Sequence, residues 1–269
     1  VLDGVADIFL GNSAMELVEF NLAGKKKSGK KVAKEIRLSA PRLVLAMGPL
    51  AASVSQEYLS DIPVIYCMVS NPQRYELAGN NIAGIAHDVP GETQFEYYKA
   101  MVPSLRTLGV IYDPEKSGAL VKDAKDAARS LGLELIGVEV SSHKKVPQAL
   151  RGLLGRIDAL WMVPDDTVLT TDSFRFLLVT SFENKLPFLA ISDIFVKVGA
   201  LATIATQPED LGRQEGKLLL RFDRGELDLA AVDVLPPGQT DVVINVKTAE
   251  KIGLSLSPEI LRSASKLYQ

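Results

Sequence analysis

Short apolar runs of strand length alternate along this chain with amphipathic stretches of helical length, and this alternation restricts the fold more than any other feature. A strand, a helix and a second strand in succession favour a parallel sheet with helices on both faces. The alternation occurs in two successive series, so we predict an α/β protein with two similar, doubly wound parallel-sheet lobes. The predicted strands are 15–20, 43–47, 62–69, 82–86, 107–112, 133–140, 158–163, 187–191, 200–205 and 241–246.

The helical stretches have the polarity pattern of helices that cover a sheet. In 117–131, small and apolar residues line one face while Lys and Asp line the other, and Gly132 follows. A face of this kind packs on a sheet, and a glycine commonly ends the helix. The predicted helices are 28–39, 49–59, 92–102, 117–131, 145–154, 171–184, 208–224, 248–252 and 258–267.

Size and charge agree with two globular lobes and exclude one class of partner. The chain has 269 residues, of which 47% are hydrophobic and 23% charged, close to the average for globular proteins. Its formal net charge of -3 offers no general basic field, so nucleic acid is not a predicted partner. The single cysteine, Cys67, lies in an apolar run, which predicts a buried, unreactive thiol and no internal disulfide.

We expect no secretory leader at the beginning of this chain, which has no basic and apolar segment of that kind. Residues 1–9 already show apolar positions at helical spacing, with no capping residue before them. We therefore expect that a preceding strand and any leader are absent from this chain. No apolar run reaches the roughly 18 to 20 residues of a membrane-spanning helix.

Several motifs suggest cofactor or metal chemistry, but each lacks a necessary part. The stretch Gly24–Lys31 approaches a phosphate-binding loop, yet Lys31 stands where a Ser or Thr must hold Mg²⁺, so a solvated basic turn is favoured. His87 and His143 have no further ligands at metal-binding spacing. The pair Asp165–Asp166 could bind Mg²⁺ only with a phosphate loop, and no nucleophile elbow is present. We predict no metal, no cofactor and no catalytic residue.

Small polar and turn-forming residues follow the predicted strands, where ligands bind in open α/β sheets. One lobe offers backbone N–H groups and hydroxyls after its strands, and the other offers carboxylates and aromatic rings. Each residue taken singly fits a helix cap or a turn better than a site, so the prediction depends on the whole set. The candidate ligand-binding residues are Gly48, Pro49, Leu50, Ser70, Asn71, Tyr112, Asp165, Thr167, Ser192, Asp193 and Phe195.

The division of these groups between the lobes suits a zwitterion with an apolar side chain. The helix that opens after Gly48 presents N–H groups and a positive dipole end to a carboxylate. An ammonium group would bind Asp165 or Asp193, and the apolar body would contact Tyr112 or Phe195.

At these same positions the sequence resembles the substrate-binding proteins of ABC transporters, some of which bind aromatic amino acids. The resemblance covers nearly the whole chain. It departs from the usual pattern at Pro49, where a hydroxyl-bearing residue is common, and at Asn71, where aspartate is common; both changes alter the polarity of the ligand site. The segments that carry it are Pro63–Ile65, Val69–Pro72, Asn81–Ile85, Leu108–Asp113, Asp158–Asp165, Gly199–Leu201, Leu211–Gln214 and Ile244–Ala249.

The resemblance implies a type I periplasmic binding protein, in which three crossovers form a hinge between two lobes. The crossovers are expected near 85–91, 203–207 and 228–240. Lobe 1 would then contain 1–86 and 206–230, and lobe 2 would contain 87–205 and 231–269. The first strand and loop of the family, which are expected to line the cleft, would be missing.

The resemblance also implies a transport function. The protein would capture an amino acid, aromatic or branched, by hinge closure and present it to an ABC permease, from the periplasm or from a lipid anchor at the outer face of the cell membrane. Two alternatives remain: a ligand-sensing regulatory domain of the same fold, and a doubly wound α/β enzyme. The regulator would need a fused DNA-binding or signalling segment, and the enzyme a catalytic motif in the cleft.

Overall fold

The computed structural model describes residues 1–9, 12, 16–77, 79–232 and 234–269. The contacts divide the chain into two compact units. Unit 1 comprises Val1–Asp88 and Thr206–Gln239, and unit 2 comprises Val89–Ala205 and Thr240–Gln269. The chain therefore passes between the units three times, after residues 88, 205 and 239.

Helices and strands alternate through both units. The helices are α1 Leu2–Phe9, α2 Gly29–Leu38, α3 Pro49–Tyr58, α4 Gly91–Met101, α5 Pro114–Ser130, α6 Val146–Leu153, α7 Thr171–Glu183, α8 Asp193–Lys197, α9 Pro208–Asp223, α10 Val246–Ile252 and α11 Pro258–Ser263. The strands are β1 Val44–Met47, β2 Val64–Val69, β3 Ile82–Ala86, β4 Thr107–Tyr112, β5 Glu134–Glu139, β6 Ala159–Trp161, β7 Phe188–Ala190, β8 Ala202–Ala205, β9 Asp241–Asn245 and β10 Lys266–Tyr268.

Unit 1 is built on a parallel sheet of order β1-β2-β3. Successive residues of β2 point to opposite faces. Ile65 therefore packs in one layer with residues of α1 and α9, and Tyr66 packs in the other with Ala52 of α3. Close approach of α1 and α9 depends on glycine, because a Cβ at Gly212 would collide with the carbonyl of Val1.

Unit 2 contains a larger sheet of order β10-β9-β8-β7-β6-β4-β5. Strands β4 to β8 run parallel, β9 is antiparallel to β8, and β10 is parallel to β9. One layer buries Phe95, whose ring meets Trp161 edge-on at 4.9 Å between centroids. The opposite layer buries Leu150 and Leu153 of α6 against the other face of the sheet.

Most of the predicted helices and strands are confirmed within a few residues, and two predictions are wrong. Residues 16–20, the described part of the predicted strand 15–20, form no strand; a strand needs a partner, and β1 has only β2 beside it among the described residues. The predicted helix 258–267 ends at Ser263 instead, because Lys266 and its neighbours pair with β9. The short helix α8 was not predicted.

The segment 231–239 belongs to unit 1, whereas the sequence-based boundaries placed it in lobe 2. The reason is backbone pairing with β3. The N–H of Leu235 donates to the carbonyl of Gly84 at 2.9 Å, and its carbonyl accepts from the N–H of Ala86 at 2.8 Å. Residues 87 and 88 are likewise in unit 1, where the Thr206 hydroxyl donates to the His87 carbonyl at 3.1 Å.

Unit 1 buries a carboxyl group that has no hydrogen-bond partner among the described residues. Glu215 of α9 is 0% exposed, and neither of its side-chain oxygens has a hydrogen-bond partner among the described residues. Burial raises the pKa of Glu215 to about 9. The nearby Cys67 and Tyr66, both on β2, are also buried, and burial raises the pKa of each. Glu215 is therefore protonated in the folded protein at neutral pH.

This burial predicts that unit 1 loses stability as the pH rises. Unfolded Glu215 ionises above its ordinary pKa of 4.5, whereas the folded group holds its proton up to about 9. Its contribution is therefore fully present below pH 4.5 and declines towards pH 9, by at most about 1.4 kcal/mol per pH unit. We expect Glu215→Gln to flatten this decline in urea unfolding at stepped pH.

The matched control is Glu226→Gln, which removes an exposed carboxylate from the same unit. The stability of this variant should depend on pH in the same way as that of the unaltered protein. An unchanged decline in Glu215→Gln would show that Glu215 is ionised when folded.

Candidate functional site

The order of strands in unit 2 reverses direction at one point along the carboxyl edge of the sheet. β4 leads through α5 to β5 on one side, while β6 leads through α7 to β7 on the other. The loops that leave β4 and β6 therefore diverge. Open α/β sheets bind ligands in the crevice formed at such a switch point.

Two aspartates join these diverging loops. The N–H of Asp113, directly after β4, donates to Oδ2 of Asp165 at 2.8 Å. The hydroxyl of Thr167 donates back to Oδ2 of Asp113 at 2.7 Å. A third bond runs from the hydroxyl of Ser117 to the carbonyl of Pro164 at 3.1 Å. These contacts fix the two loops to each other, and we call them the loop brace.

Asp165 also organises its own loop. Its Oδ1 accepts the N–H groups of Thr167 at 3.0 Å and Val168 at 3.1 Å, and the residue is 1% exposed. Both of its oxygens are thus occupied by main-chain donors. The prediction that Asp165 binds a ligand ammonium remains a prediction, and the geometry supports a structural function for this carboxylate.

Asp193, the other predicted ammonium partner, forms an ion pair within unit 2. Its Oδ2 accepts from Nζ of Lys266 at 2.9 Å, and its Oδ1 accepts the hydroxyl of Tyr268 at 2.7 Å. Partial burial acts to raise the pKa of Asp193, but these hydrogen bonds outweigh it and hold the pKa below its usual value. The carboxylate connects α8 to β10 and is 39% exposed.

The two predicted aromatic contacts pack within unit 2. Tyr112 is 5% exposed and donates its hydroxyl to Oε1 of Glu139 at 3.1 Å, across the pair β4 and β5. Phe195 stacks at a tilt on Phe174 of α7, with 4.7 Å between ring centroids. Ser192 precedes α8 and is half-buried, without a side-chain capping bond.

In unit 1, the start of α3 presents main-chain N–H donors without a side-chain cap. Gly48 precedes the helix with a φ of 85°, a conformation that favours glycine, and no side chain caps the helix. Pro49 has no N–H, so Leu50 and Ala51 supply the first donors of the helix. Gly48, Pro49 and Leu50 are all half-buried, and the positive end of the helix dipole lies at this point.

Ser70 and Asn71, the other predicted residues of unit 1, are bound to Asp88. The N–H of Asn71 and the hydroxyl of Ser70 both donate to this carboxylate. Burial raises the pKa of Asp88, although these two hydrogen bonds oppose the effect. Asp88 is the last residue of unit 1 before the first crossing, so it fixes the end of β2 to that segment.

Sequence reasoning missed the functions of Asp113 and Asp88. Asp113 precedes Pro114 and also caps α5, with its Oδ1 accepting the N–H of Glu115 at 3.0 Å. An aspartate before a proline is a recognisable start of a helix. Nothing in the local sequence indicates that Asp88 contacts residues 70 and 71, because that contact is made across the sheet.

Two kinds of feature are absent from the described residues. No three His, Cys, Asp or Glu side chains come together there as metal ligands. No helix in this part of the chain has the length and apolar character needed to cross a membrane.

Two α/β units with largely parallel sheets, joined by three crossings of the chain, define the type I periplasmic binding protein fold, as the resemblance to substrate-binding proteins implies. The chain belongs to the ABC transporter substrate binding protein family, whose model matches residues 1–268.

One curated relative and two solved structures illustrate the similarity. The tyrosine-binding protein of Clostridioides difficile is 27% identical over 220 residues, 79% of this chain and 63% of that protein, so this chain spans less than two thirds of its length. A Streptococcus pneumonia domain in complex with L-Trp is 23% identical, with a TM-score of 0.71 over 99% of this chain and 94% of that one. A ligand-free, open substrate-binding protein with adhesive properties from Clostridium difficile is 21% identical, with a TM-score of 0.80 over 99% and 93%. The two structures support the fold alone.

The loop brace predicts that the two candidate carboxylates differ in their effect on stability. Asp165→Ala removes the acceptor of three main-chain N–H groups and should lower the free energy of unfolding of unit 2 by about 3 kcal/mol. Asp193→Ala removes a partly exposed ion pair and should lower it by less than about 1 kcal/mol. Urea unfolding, followed by the fluorescence of buried Trp161, measures both.

The opposite result would identify Asp165 as a ligand residue. An Asp165→Ala variant that kept its stability but lost ligand affinity would contradict the structural function that we assign to it.

Proposed function

We propose that the protein binds an amino acid with an aromatic or branched side chain and delivers it, chemically unchanged, to the permease of an ABC importer. The observation that carries this proposal is the match of the substrate-binding family to residues 1–268. The names of similar proteins supply the ligand class, since one binds tyrosine and another was solved with L-Trp.

The start of α3 is our proposed site for the ligand carboxylate. The N–H groups of Leu50 and Ala51 have no side-chain cap competing for them, and the helix dipole favours an anion there. Ser70 and Asn71 already donate to Asp88, so in this state their donors are used within unit 1. Gly48 allows close approach because it carries no side chain.

The switch point of unit 2 is our proposed site for the ligand ammonium. The loop brace fixes two carboxylates, of Asp113 and Asp165, beside each other at this edge. Two adjacent carboxylates favour a nearby cation over a further anion. The brace would hold Thr167 and the main-chain carbonyls of both loops in place around the ammonium. Asp193 is the alternative partner of the ammonium that the sequence predicts.

Capture would operate by hinge closure. The chain crosses between the units at three places, and we propose that the ligand contacts both units only when they are closed. A ligand that binds one conformation better shifts the population towards it, so closure follows from differential affinity. The permease would recognise this closed conformation, so the protein would act outside the cytoplasmic membrane, in the periplasm or on a lipid anchor.

The two alternatives lack a comparable observation. A regulatory domain of the same fold would share both units, but the family match is to transporter proteins. An enzyme would need a nucleophile, metal or cofactor at the carboxyl edges. At the carboxyl edge of unit 2, the hydrogen bonds of the loop brace join two loops to one another.

Analogues that lack one charge test whether both ends of an amino acid are recognised. Calorimetric titration should give binding of L-tyrosine or L-tryptophan and a loss of about 100-fold for tyramine, which has no carboxylate. The deaminated analogue of tyrosine should lose a similar amount. Equal binding of all three compounds, or chemical conversion of any of them, would contradict the proposal.

A matched pair of variants tests the α3 site. Leu50→Pro removes one N–H donor in the first helical turn, where proline is tolerated, and should weaken binding of L-tyrosine by about 10-fold or more. Leu50→Ala shortens the same side chain but keeps the N–H, so it should bind within a few-fold of the unaltered protein. Circular dichroism checks that α3 is retained in both.

A further inference from the structure

A dense group of lysines lies at the start of α2 and in the 3₁₀ turn Lys26–Ser28 just before it, in a chain whose overall charge is -3. The ten residues 25–34 contain six lysines and no acidic residue. All six lysines are exposed. Four of them, which we call the lysine stripe, are spaced as one face of a helix: Lys27, Lys30, Lys31 and Lys34.

The packing of α2 directs the lysine stripe into solvent. Val32, Ala33 and Ile36 are buried and pack with Leu59, so they hold one side of the helix against unit 1. Lys30, Lys31 and Lys34 lie on the opposite side of the helix, and all three are exposed. The stripe is therefore a fixed feature of the surface and not a flexible tail.

The fold does not explain these charges. The first turn of α2 contains no acidic residue, and its N-cap Ser28 makes no capping bond. Lysines at the positive end of a helix dipole lower helix stability. Among the described residues, Lys31 approaches Glu35 at 3.8 Å and Lys26 approaches Glu57 at 3.6 Å, while no ion pair engages Lys27, Lys30 or Lys34.

An exposed apolar residue continues the same face. Leu38 lies four residues after Lys34, at the last position of α2, and is 78% exposed. Clustered exposed lysines attract a protein surface to anionic bilayers, and an exposed leucine beside them can enter the interfacial region. Nucleic acid is less suitable, since the stripe contains neither arginine nor an aromatic ring for stacking on bases.

We propose that the lysine stripe and Leu38 form a docking surface for the anionic headgroups of a lipid bilayer. The ammonium groups contact headgroup phosphates, which also compensate the positive end of α2, and Leu38 enters the interfacial region. This attraction is long-ranged and weak, so it falls as salt rises. It is separate from the proposed amino-acid site, since none of its residues belongs to that site.

Vesicle co-sedimentation tests the proposal. The probe is vesicles of phosphatidylglycerol and phosphatidylcholine in equal parts, with pure phosphatidylcholine vesicles as reference. The unaltered protein should bind the anionic vesicles at low salt and dissociate as salt is added. The triple variant Lys27→Gln, Lys30→Gln, Lys34→Gln should lose roughly 100-fold, at about fivefold for each lysine.

A triple variant elsewhere controls for net charge. Lys122→Gln, Lys144→Gln and Lys247→Gln remove the same charge from exposed positions of unit 2 and should change vesicle binding by less than about threefold. Both triple variants should retain any amino-acid affinity of the unaltered protein, and neither should lower the unfolding midpoint. Equal losses in the two would overturn the proposal, because only general charge would then matter.

A tryptophan at Leu38 reports insertion directly. The single native tryptophan, Trp161, is 3% exposed, so its emission should not respond to vesicles. Leu38→Trp should therefore show a blue shift on addition of anionic vesicles and none with phosphatidylcholine. Absence of vesicle binding, or salt-sensitive binding of polyphosphate or single-stranded DNA through the same lysines without vesicle binding, would contradict a lipid partner.

Discussion

The carboxylate of Asp165 is the contact on which the candidate site of unit 2 depends. It accepts the N–H of Asp113 from the loop after β4 and two N–H groups of its own loop after β6. Parallel strands bring the two loops to one edge of the sheet but do not fix the distance between them. The loop brace fixes this distance, because a buried carboxylate that accepts several main-chain N–H groups has few alternative positions.

Unit 1 relies on a different arrangement. The end of β2 is fixed by Asp88, and β3 pairs with Leu235 of the last segment before the third crossing. Two of the three crossing segments are therefore anchored within unit 1 by hydrogen bonds, and Thr206 joins the remaining one to His87. The same unit also contains the buried carboxyl of Glu215, which stays protonated because burial disfavours its charged form. The unit thus keeps a group that makes its stability depend on pH.

The proposed functions use separate parts of the molecule. The proposed amino-acid site uses main-chain donors at the start of α3 for the carboxylate and the braced edge of unit 2 for the ammonium. The lysine stripe lies on another helix and has no part in that recognition. Binding a small zwitterion needs a few fixed dipoles with little net charge, whereas attraction to a bilayer needs several exposed charges of one sign. One chain can therefore combine both properties.

The sequence by itself determined the fold class, most helices and strands, and the family, because these follow from periodicity and from short local motifs. It also located the helix start at Gly48–Leu50, since the turn residues and the helix adjoin along the chain. It did not determine which polar side chains are available to a ligand. Asp165 and Asp193 appear equivalent as sequence, but the first is buried under main-chain donors and the second pairs with Lys266 from the end of the chain. The strand at 266–268 replaced the end of a predicted helix for the same reason. Only the tertiary structure decides which polar groups already have partners. A hydrogen-bond partner that is distant in the sequence leaves no local pattern around the residue to which it binds.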